Sequence, residues 1–102
     1  MSNYNYFVYI TTNPGKTALY VGMTNDLRTR IRQHKANKGN PKSHAGKYFC
    51  YNLIYFERFG FVDHAIGREK EIKGWRRQKK EDLIATMNPR WDFYDAEVLT
   101  RD

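Results

Sequence analysis

One predicted helix carries polar side chains on the face that should be apolar. Side chains three and four positions apart share a helix face, so Leu27, Arg30, Ile31 and His34 form one stripe. Arginine stays protonated and binds phosphate through paired donors, and histidine carries protons near neutral pH. We therefore interpret Arg30 and His34 as facing inward or lying along the edge of a cleft.

A second predicted helix shows the same break in its apolar pattern. Glu69 lies between Ala65 and Ile72, on a stripe with the spacing of a buried face. A simple alternative is structural, because ion pairs between packed helices are common. In that case Arg30 and Glu69 would form a buried or half-buried ion pair, and His34 would bond to the backbone. Helix spacing alone leaves both interpretations open.

The elements that must position these side chains begin with a β-hairpin. Two aromatic and β-branched segments flank a cluster of turn-forming residues, the composition typical of strands joined by a turn. Gly22, at the end of the second segment, lets the backbone turn. Thr24, Asn25 or Asp26 can then cap the first helix. The predicted bounds are Tyr4–Thr11 and Ala18–Met23 for the strands, with the turn at Thr12–Lys16, and Asp26–Asn37 for the helix.

The rest of the chain predicts one more strand and two more helices. A basic, mobile loop with two glycines and a proline precedes the strand. Asp63 is a plausible cap for the second helix, and Asn88-Pro89 stops the third. The bounds are Lys38–Lys47 for the loop, Tyr48–Phe59 for the strand, and Asp63–Trp75 and Gln78–Met87 for the helices. The order β-β-α-β-α-α predicts an α/β (α+β) fold, a three-stranded antiparallel sheet flanked by about three helices.

Length and composition limit the classes of protein. A chain of 102 residues predicts a single domain spanning residues 1–102, and 40% hydrophobic residues are enough for it to fold. The sequence has no run of apolar residues long enough for a membrane span and no signal peptide at its amino terminus, so we expect a cytoplasmic protein. Cys50 is the single cysteine, which excludes an intramolecular disulfide and a cysteine-based zinc cluster.

The net charge of +7 favours a polyanionic partner. Most of the excess lies between Asn25 and Tyr48, where seven basic residues face Asp26 as the single acidic one. We predict that DNA phosphates are contacted by the first helix and the loop, through Arg28, Arg32, Lys38, Lys42 and Lys47, with His44 among them. The later cluster Trp75–Lys80 either extends this basic face or complements a helix dipole.

The hairpin carries the residues that identify a family. Its first strand contains Phe7-Val8-Tyr9 and its second contains Tyr20-Val21-Gly22, and the segment from Met23 to His34 includes Arg30. This pattern resembles the GIY-YIG nuclease family, in the form seen in its small single-domain bacterial branch. In the resemblance Glu69 takes the acidic position, and Asp92 takes the position of a late asparagine. Phe7 replaces the first glycine of the signature.

The resemblance implies hydrolysis of a DNA phosphodiester with a single divalent metal, Mg²⁺ or Mn²⁺. Glu69 would bind the metal, and Arg30 would stabilise the charge on the scissile phosphate. Tyr9, with Tyr20, would position or deprotonate the attacking water. A phenol is a weak base at neutral pH, so this role requires a lowered pKa or is limited to orientation. His34 would be the hydrogen-bonding partner of Tyr9 or the alternate proton carrier.

Three functions remain open from the sequence. The first is a metal-dependent DNA endonuclease or structure-specific nuclease that binds DNA mainly through its phosphate backbone. The second is a catalytically weak nucleic-acid-binding module on the same scaffold. The third is a regulatory domain that binds a protein partner, for which the sequence shows no obvious candidate. The first is favoured over the second by the presence of six motif residues, which are Tyr9, Tyr20, Gly22, Arg30, His34 and Glu69.

Overall fold

The structure is a computed structural model that describes residues 5–100. Three strands and five helices follow one another along this part of the chain. Their bounds are β1 Tyr6–Thr12, β2 Leu19–Thr24, α1 Leu27–Ala36, α2 His44–Lys47, β3 Asn52–Phe59, α3 Val62–Lys73, α4 Arg77–Met87 and α5 Asp95–Thr100. Tyr4, where the first strand was predicted to begin, lies outside the described residues.

The strands form an antiparallel sheet in the order β2-β1-β3. The hairpin turn is held by Asn13, whose side-chain oxygen accepts hydrogen bonds from the amides of Thr17 and Ala18 at 2.8 and 2.9 Å. In the hairpin Tyr9 lies opposite Gly22. The predicted α+β fold with a three-stranded antiparallel sheet is therefore confirmed.

Helices cover both faces of the sheet. Side chains alternate between the two faces of a strand, so neighbouring residues of β1 enter different core clusters. Val8 and Ile10 pack with Ile72 of α3 and Ile84 of α4. Tyr9 packs on the other side, with apolar residues of α1 and α5. The face that contains Tyr9 is consequently the face on which α1 lies.

Helix α1 begins where the sequence allows three caps, and the structure selects one of them. The carboxylate of Asp26 accepts a hydrogen bond from the amide of Thr29, which satisfies one of the free donors of the first turn. Leu27, Ile31 and His34 are buried on the inner face, as their spacing predicts.

The predicted loop Lys38–Lys47 contains the short helix α2. Ser43 caps it by accepting a hydrogen bond from the amide of Gly46 at 3.0 Å. Tyr48, the predicted start of the third strand, is the C-cap of α2, and the strand begins only at Asn52. Between them Phe49 has a left-handed backbone, with φ of 59°, which is incompatible with an extended strand.

Two further differences concern the later helices. Helix α3 has Phe61 as its N-cap, without a side-chain hydrogen bond, so Asp63 lies in the first turn and is not the predicted cap. Helix α5 was not predicted. Asp95, its first residue, accepts hydrogen bonds from the amide of Leu53 at 2.5 Å and from the side chain of Asn52 at 2.7 Å. These long-range bonds anchor the helix to β3. None of the helices within residues 5–100 is long and apolar enough to cross a membrane.

Candidate active site

Three side chains meet at the hydroxyl group of Tyr9. The oxygen lies 2.7 Å from Nε2 of His34, and Nε of Arg30 donates a hydrogen bond to it over 3.2 Å. Arg30 can only donate, and a buried hydroxyl hydrogen needs an acceptor. We therefore assign the hydroxyl as the donor to Nε2 of a neutral His34. His34 bonds to Tyr9 and not to the backbone as the structural alternative predicted.

Gly22 makes this arrangement possible. A Cβ atom at this position would lie 2.5 Å from Cζ of Tyr9 and 3.0 Å from Cε2 of Tyr20. Gly22 lies inside β2 and pairs with Tyr9 across the hairpin, so its function is not the predicted backbone turn. The missing side chain leaves the space that the Tyr9 ring occupies.

Burial controls the protonation of this group. Tyr9 has no exposed surface, and its burial raises its pKa to about 12, against the opposing effect of Arg30. Burial and, after it, the charge of Arg30 lower the pKa of His34 to about 4. Arg30 therefore does not give Tyr9 the lowered pKa that a basic role requires. At neutral pH both side chains are uncharged.

Tyr20 connects the buried group with a cleft. Its ring lies 5.4 Å from that of His34 and 6.4 Å from that of Tyr9, and its side chain also interacts with Arg30. Tyr20 is half-buried and lines a cleft of about 550 Å³. The other residues lining it are Leu19, Val21, His44, Lys73 and Lys80. Two lysines thus face the space beside Tyr20.

Glu69 approaches the same region from α3. Its side chain is 22% exposed, and Oε2 lies 3.3 Å from Nζ of Lys73, one turn further along the helix. Burial raises the pKa of Tyr9 most, and Tyr20 and then the charge of Glu69 make smaller contributions in the same direction. Glu69 and Tyr9 are therefore within electrostatic range of each other. Within residues 5–100 Glu69 pairs with Lys73 and not with Arg30. The predicted ion pair between Arg30 and Glu69 is absent from this part of the chain.

The predicted DNA-binding residues divide into two groups. Arg32, Lys38, Lys42 and Lys47 are exposed on α1 and the segment after it. Arg28 is half-buried, and its guanidinium donates a hydrogen bond to the carbonyl of Leu99 over 3.0 Å. Arg28 therefore fastens α5 to α1, which makes it a poor phosphate contact.

The basic cluster after α3 lies at the start of a helix. Lys79 and Lys80 belong to the first turns of α4, which begins at Arg77. The positive end of the helix dipole disfavours cations there, so the dipole explanation does not hold for these two lysines. Lys80 instead lines the cleft beside Tyr20.

Sequence reasoning missed two residues near the site and one buried polar residue after α4. Gln33 accepts a hydrogen bond from Arg30 over 2.9 Å, and Lys73 joins Glu69 to the cleft. The third is Asn88, which is buried and bonds to the carbonyls of Ile54 and Asp92 at 2.9 and 2.8 Å. Asp92, taken as the late asparagine position, is exposed. The asparagine preceding a proline was the signal that could have pointed to Asn88.

Comparison with known proteins agrees with the signature in the hairpin. The family model for the GIY-YIG catalytic domain matches residues 5–82. A UPF0213 protein of Haloquadratum walsbyi is 39% identical over 81% of this chain and 89% of its own length. A UPF0213 protein of Bacillus pumilus is 32% identical over 85% and 86%. Haloquadratum walsbyi is an archaeon, so the similarity extends beyond the bacterial branch of the family.

A solved structure has the same architecture. The solution NMR structure of a UPF0213 protein from Bacillus halodurans superimposes with a TM-score of 0.54 at 26% identity. The match covers 96% of this chain and 99% of the other. The names of these relatives state no activity, so an activity has to be argued from the catalytic-domain match and from the site.

Proposed function

Because the chain belongs to the GIY-YIG nuclease family, we propose that it is a metal-dependent DNA endonuclease or structure-specific nuclease. The observation that supports this best is a series of contacts at β2, an edge strand of the sheet, that links the motif residues to one cleft. Arg30 interacts with Tyr20, Tyr20 lines the cleft, and Lys73 joins the same cleft to Glu69. A phosphodiester in the cleft would thus have cationic, phenolic and carboxylate groups around it.

The donor set fits one hard cation such as Mg²⁺ or Mn²⁺. Within residues 5–100 no three His, Cys, Asp or Glu side chains are grouped as they would be around a structural metal. Mg²⁺ keeps several waters and needs one or two carboxylates together with phosphate oxygens. Glu69 is half-buried, and its one ion pair within residues 5–100 is with the exposed Lys73, so its oxygens can serve as that ligand. When bound, the ion would supply Lewis-acid stabilisation of the phosphate.

Arg30 is the residue we assign to the scissile phosphate. Tyr9 and Gln33 fix the guanidinium through Nε and one terminal nitrogen, which orients its remaining donors. A preoriented cation in a partly buried site stabilises developing negative charge without a cost of reorganisation during the reaction. Lysine could not make the bond to Tyr9 and hold a phosphate through paired donors at the same time.

The two tyrosines take different roles in this proposal. Tyr20 lines the cleft, so its hydroxyl can orient the attacking water. Tyr9 has no exposed surface and His34 has 6%, which argues against direct contact of either with that water. We assign Tyr9 and His34 as positioning residues that act through Arg30 and Tyr20. This differs from the direct role in positioning or deprotonating the attacking water that the sequence predicted for Tyr9.

A cleavage screen tests the proposal. Single-stranded, duplex, flapped and branched DNA would be incubated with Mg²⁺ or Mn²⁺ and with wild type, Glu69→Gln or Glu71→Gln. Glu71 lies on the same helix and pairs with Arg68, so it controls for the loss of one exposed carboxylate. We expect cleavage by wild type and Glu71→Gln and a loss of at least 100-fold in Glu69→Gln, an order-of-magnitude figure for removing electrostatic stabilisation.

Stability measured beside activity separates this role from a structural one. The pair between Glu69 and Lys73 is partly exposed and helical, so Glu69→Gln should change the free energy of unfolding by less than about 0.5 kcal/mol. If wild type binds DNA but cleaves none of the substrates with either metal, the chain is a nucleic-acid-binding module and the nuclease proposal fails.

A further inference from the structure

An exposed aromatic segment lies beside the cleft and has no part in the proposed chemistry. Tyr48 is 46% exposed and Phe49 is 49% exposed, although both are large aromatic residues. They follow α2 directly, and His44 of α2 lines the cleft. Large exposed aromatic side chains next to a basic cleft are the surface on which single-stranded nucleic acids stack their bases.

The segment is held rigidly by its own backbone. The amide of Gly39 donates to the carbonyl of Gly46 over 2.7 Å, and the amide of Cys50 donates to that of Ala45 over 2.8 Å. Gly46 is packed so closely that a Cβ atom would lie 2.5 Å from the carbonyl oxygen of Asn37. A base that stacks here would therefore find the aromatic side chain already in place, with little ordering of the backbone required.

A row of rings joins the segment to the site. The ring centroids of His34 and Tyr20 are 5.4 Å apart, and those of Tyr20 and His44 are 6.2 Å apart. The centroids of His44 and Tyr48 are 5.1 Å apart. Tyr48 is the exposed end of this row. A base on Tyr48 would therefore lie close to a phosphate in the cleft beside Tyr20.

Cations surround this position on two sides. Nζ of Lys47 lies 5.5 Å from the centroid of the Tyr48 ring. Lys47 is exposed and flexible, so its ammonium can move from the ring to a DNA phosphate while a base takes its place. Lys73 and Lys80 offer further phosphate contacts in the cleft.

We propose that Tyr48, supported by His44, is a stacking site for an unpaired base of the DNA strand whose phosphates occupy the cleft. The proposal rests on the proposed function for the nature of the strand, and it names the substrate class. Bases inside a duplex are already stacked on each other and cannot present a free face to a tyrosine. The preferred DNA is consequently single-stranded at this position, as in a flap, an overhang or a single strand.

The test is binding without catalysis, measured by fluorescence anisotropy in EDTA. The probes are a labelled oligothymidylate, a strand of the same length whose sugars carry no bases, and a blunt duplex. The abasic strand has the same phosphates, so a difference between the two single strands measures the bases alone. We expect wild type to bind the oligothymidylate about tenfold more tightly than the abasic strand.

Variants assign that difference to Tyr48. Tyr48→Ala and Tyr48→Leu should bind both single strands equally, whereas Tyr48→Phe keeps the ring and should keep the preference. Thermal melting shows whether Tyr48→Ala is folded. If it is not, Tyr48→Leu replaces it in the test, because leucine retains apolar volume. Phe61→Ala removes another exposed aromatic, 68% exposed, at the opposite end of β3, since Phe59 pairs with Tyr6 and Asn52 with Thr12. This control should keep the preference.

Two results would overturn the stacking site. One is equal affinity of wild type for the two single strands, and the other is an unchanged preference in Tyr48→Leu. The outcome is separate from that of the cleavage screen. A base preference that depends on Tyr48 supports the site even if no substrate is cleaved, and cleavage that depends on Glu69 without any base preference would leave the nuclease proposal standing and remove this one.

Discussion

At Gly22 the backbone of β2 passes against the ring of Tyr9, and the whole arrangement of Tyr9, Arg30 and His34 depends on that approach. The hydroxyl has Arg30 on one side and His34 on the other, at 3.2 and 2.7 Å. A small displacement of the ring would break both bonds together, because they share one oxygen atom.

Gly22→Ala should therefore abolish cleavage and lower the free energy of unfolding by about 1–3 kcal/mol, as overpacking of a filled site does. Gly67→Ala is the matched control, because a Cβ atom there meets nothing within 4 Å and the residue lies inside α3. This control should be neutral or more stable by about 0.5–1 kcal/mol. Urea denaturation would measure the stability of the two variants, and the cleavage assay would measure their activity. Equal behaviour of the two variants would contradict the role given to Gly22.

The neutral form of His34 makes stability depend on pH. Its pKa is about 4 in the folded protein and near 6.5 when the chain is unfolded. Between these values the unfolded chain binds the proton and the folded chain does not, so stability should fall as the pH is lowered from 6.5 towards 4. The full loss is roughly 3 kcal/mol at most.

Urea denaturation at several pH values between 7 and 5 would show this slope. His34→Gln should flatten it, because the variant has no proton to take up. His64→Gln, at an exposed histidine of α3, controls for the removal of a histidine elsewhere. The same slope in both variants would show that His34 is not the group responsible.

Part of this site could be predicted from the sequence. Helix spacing is a local property, so Arg30 and His34 were placed on the inner face of α1 without knowledge of the fold. The bond between Tyr9 and His34 joins residues 25 positions apart, and it depends on strand register and on the space left by Gly22. The same limit explains Lys73, whose position in the cleft requires knowledge of how α3 lies against β2.

Among the elements, the short helices were the least predictable. Helix α2 has four residues and α5 has six, too few for a hydrophobic period to be visible. Ser43 stabilises the first through its cap, and bonds from β3 to Asp95 stabilise the second. The longer helices and the hairpin were found because their signals lie within their own sequences.

Asn88 is one of the side chains that anchor the segment after α4 to the sheet. Asn88 donates to the carbonyls of Ile54 and Asp92 and accepts from the amide of Asp92 over 2.9 Å. Asn88→Ala should cost about 2–3 kcal/mol of stability, because buried carbonyls lose their donor. Asp92→Ala, at an exposed side chain, should cost less than about 0.5 kcal/mol. Thermal melting distinguishes the two, and a mild effect of Asn88→Ala would show that water replaces the amide.

Over the whole molecule, exposed cations lie on α1 and on the segment around α2, and two lysines line the cleft together with His44 of α2. DNA bound through phosphates releases counterions, so its affinity should fall steeply with salt and depend little on sequence.

Lys42→Gln should remove one phosphate contact and so reduce the slope of log affinity against log salt by about 1. Arg58→Gln removes an exposed cation near the end of β3 that lies away from α2, and it should leave the slope unchanged. Anisotropy titrations over a range of salt concentrations would give both slopes. A flat salt response of wild type would favour a domain that binds a protein partner.

The pairing of β1 with both β2 and β3 also has a consequence for the order in which the site is assembled. Tyr9, Gly22, Arg30 and His34 belong to one continuous hairpin-helix unit, whose ends are brought together by a short loop closure. Glu69 reaches them only after β3 has paired with β1 across a much longer separation, which is entropically costlier and slower to form. Pulse-labelled hydrogen exchange during refolding should therefore protect the amides of β2 before those of α3. The chain would thus have Arg30, which we assign to the phosphate, in place before Glu69, which we assign to the metal.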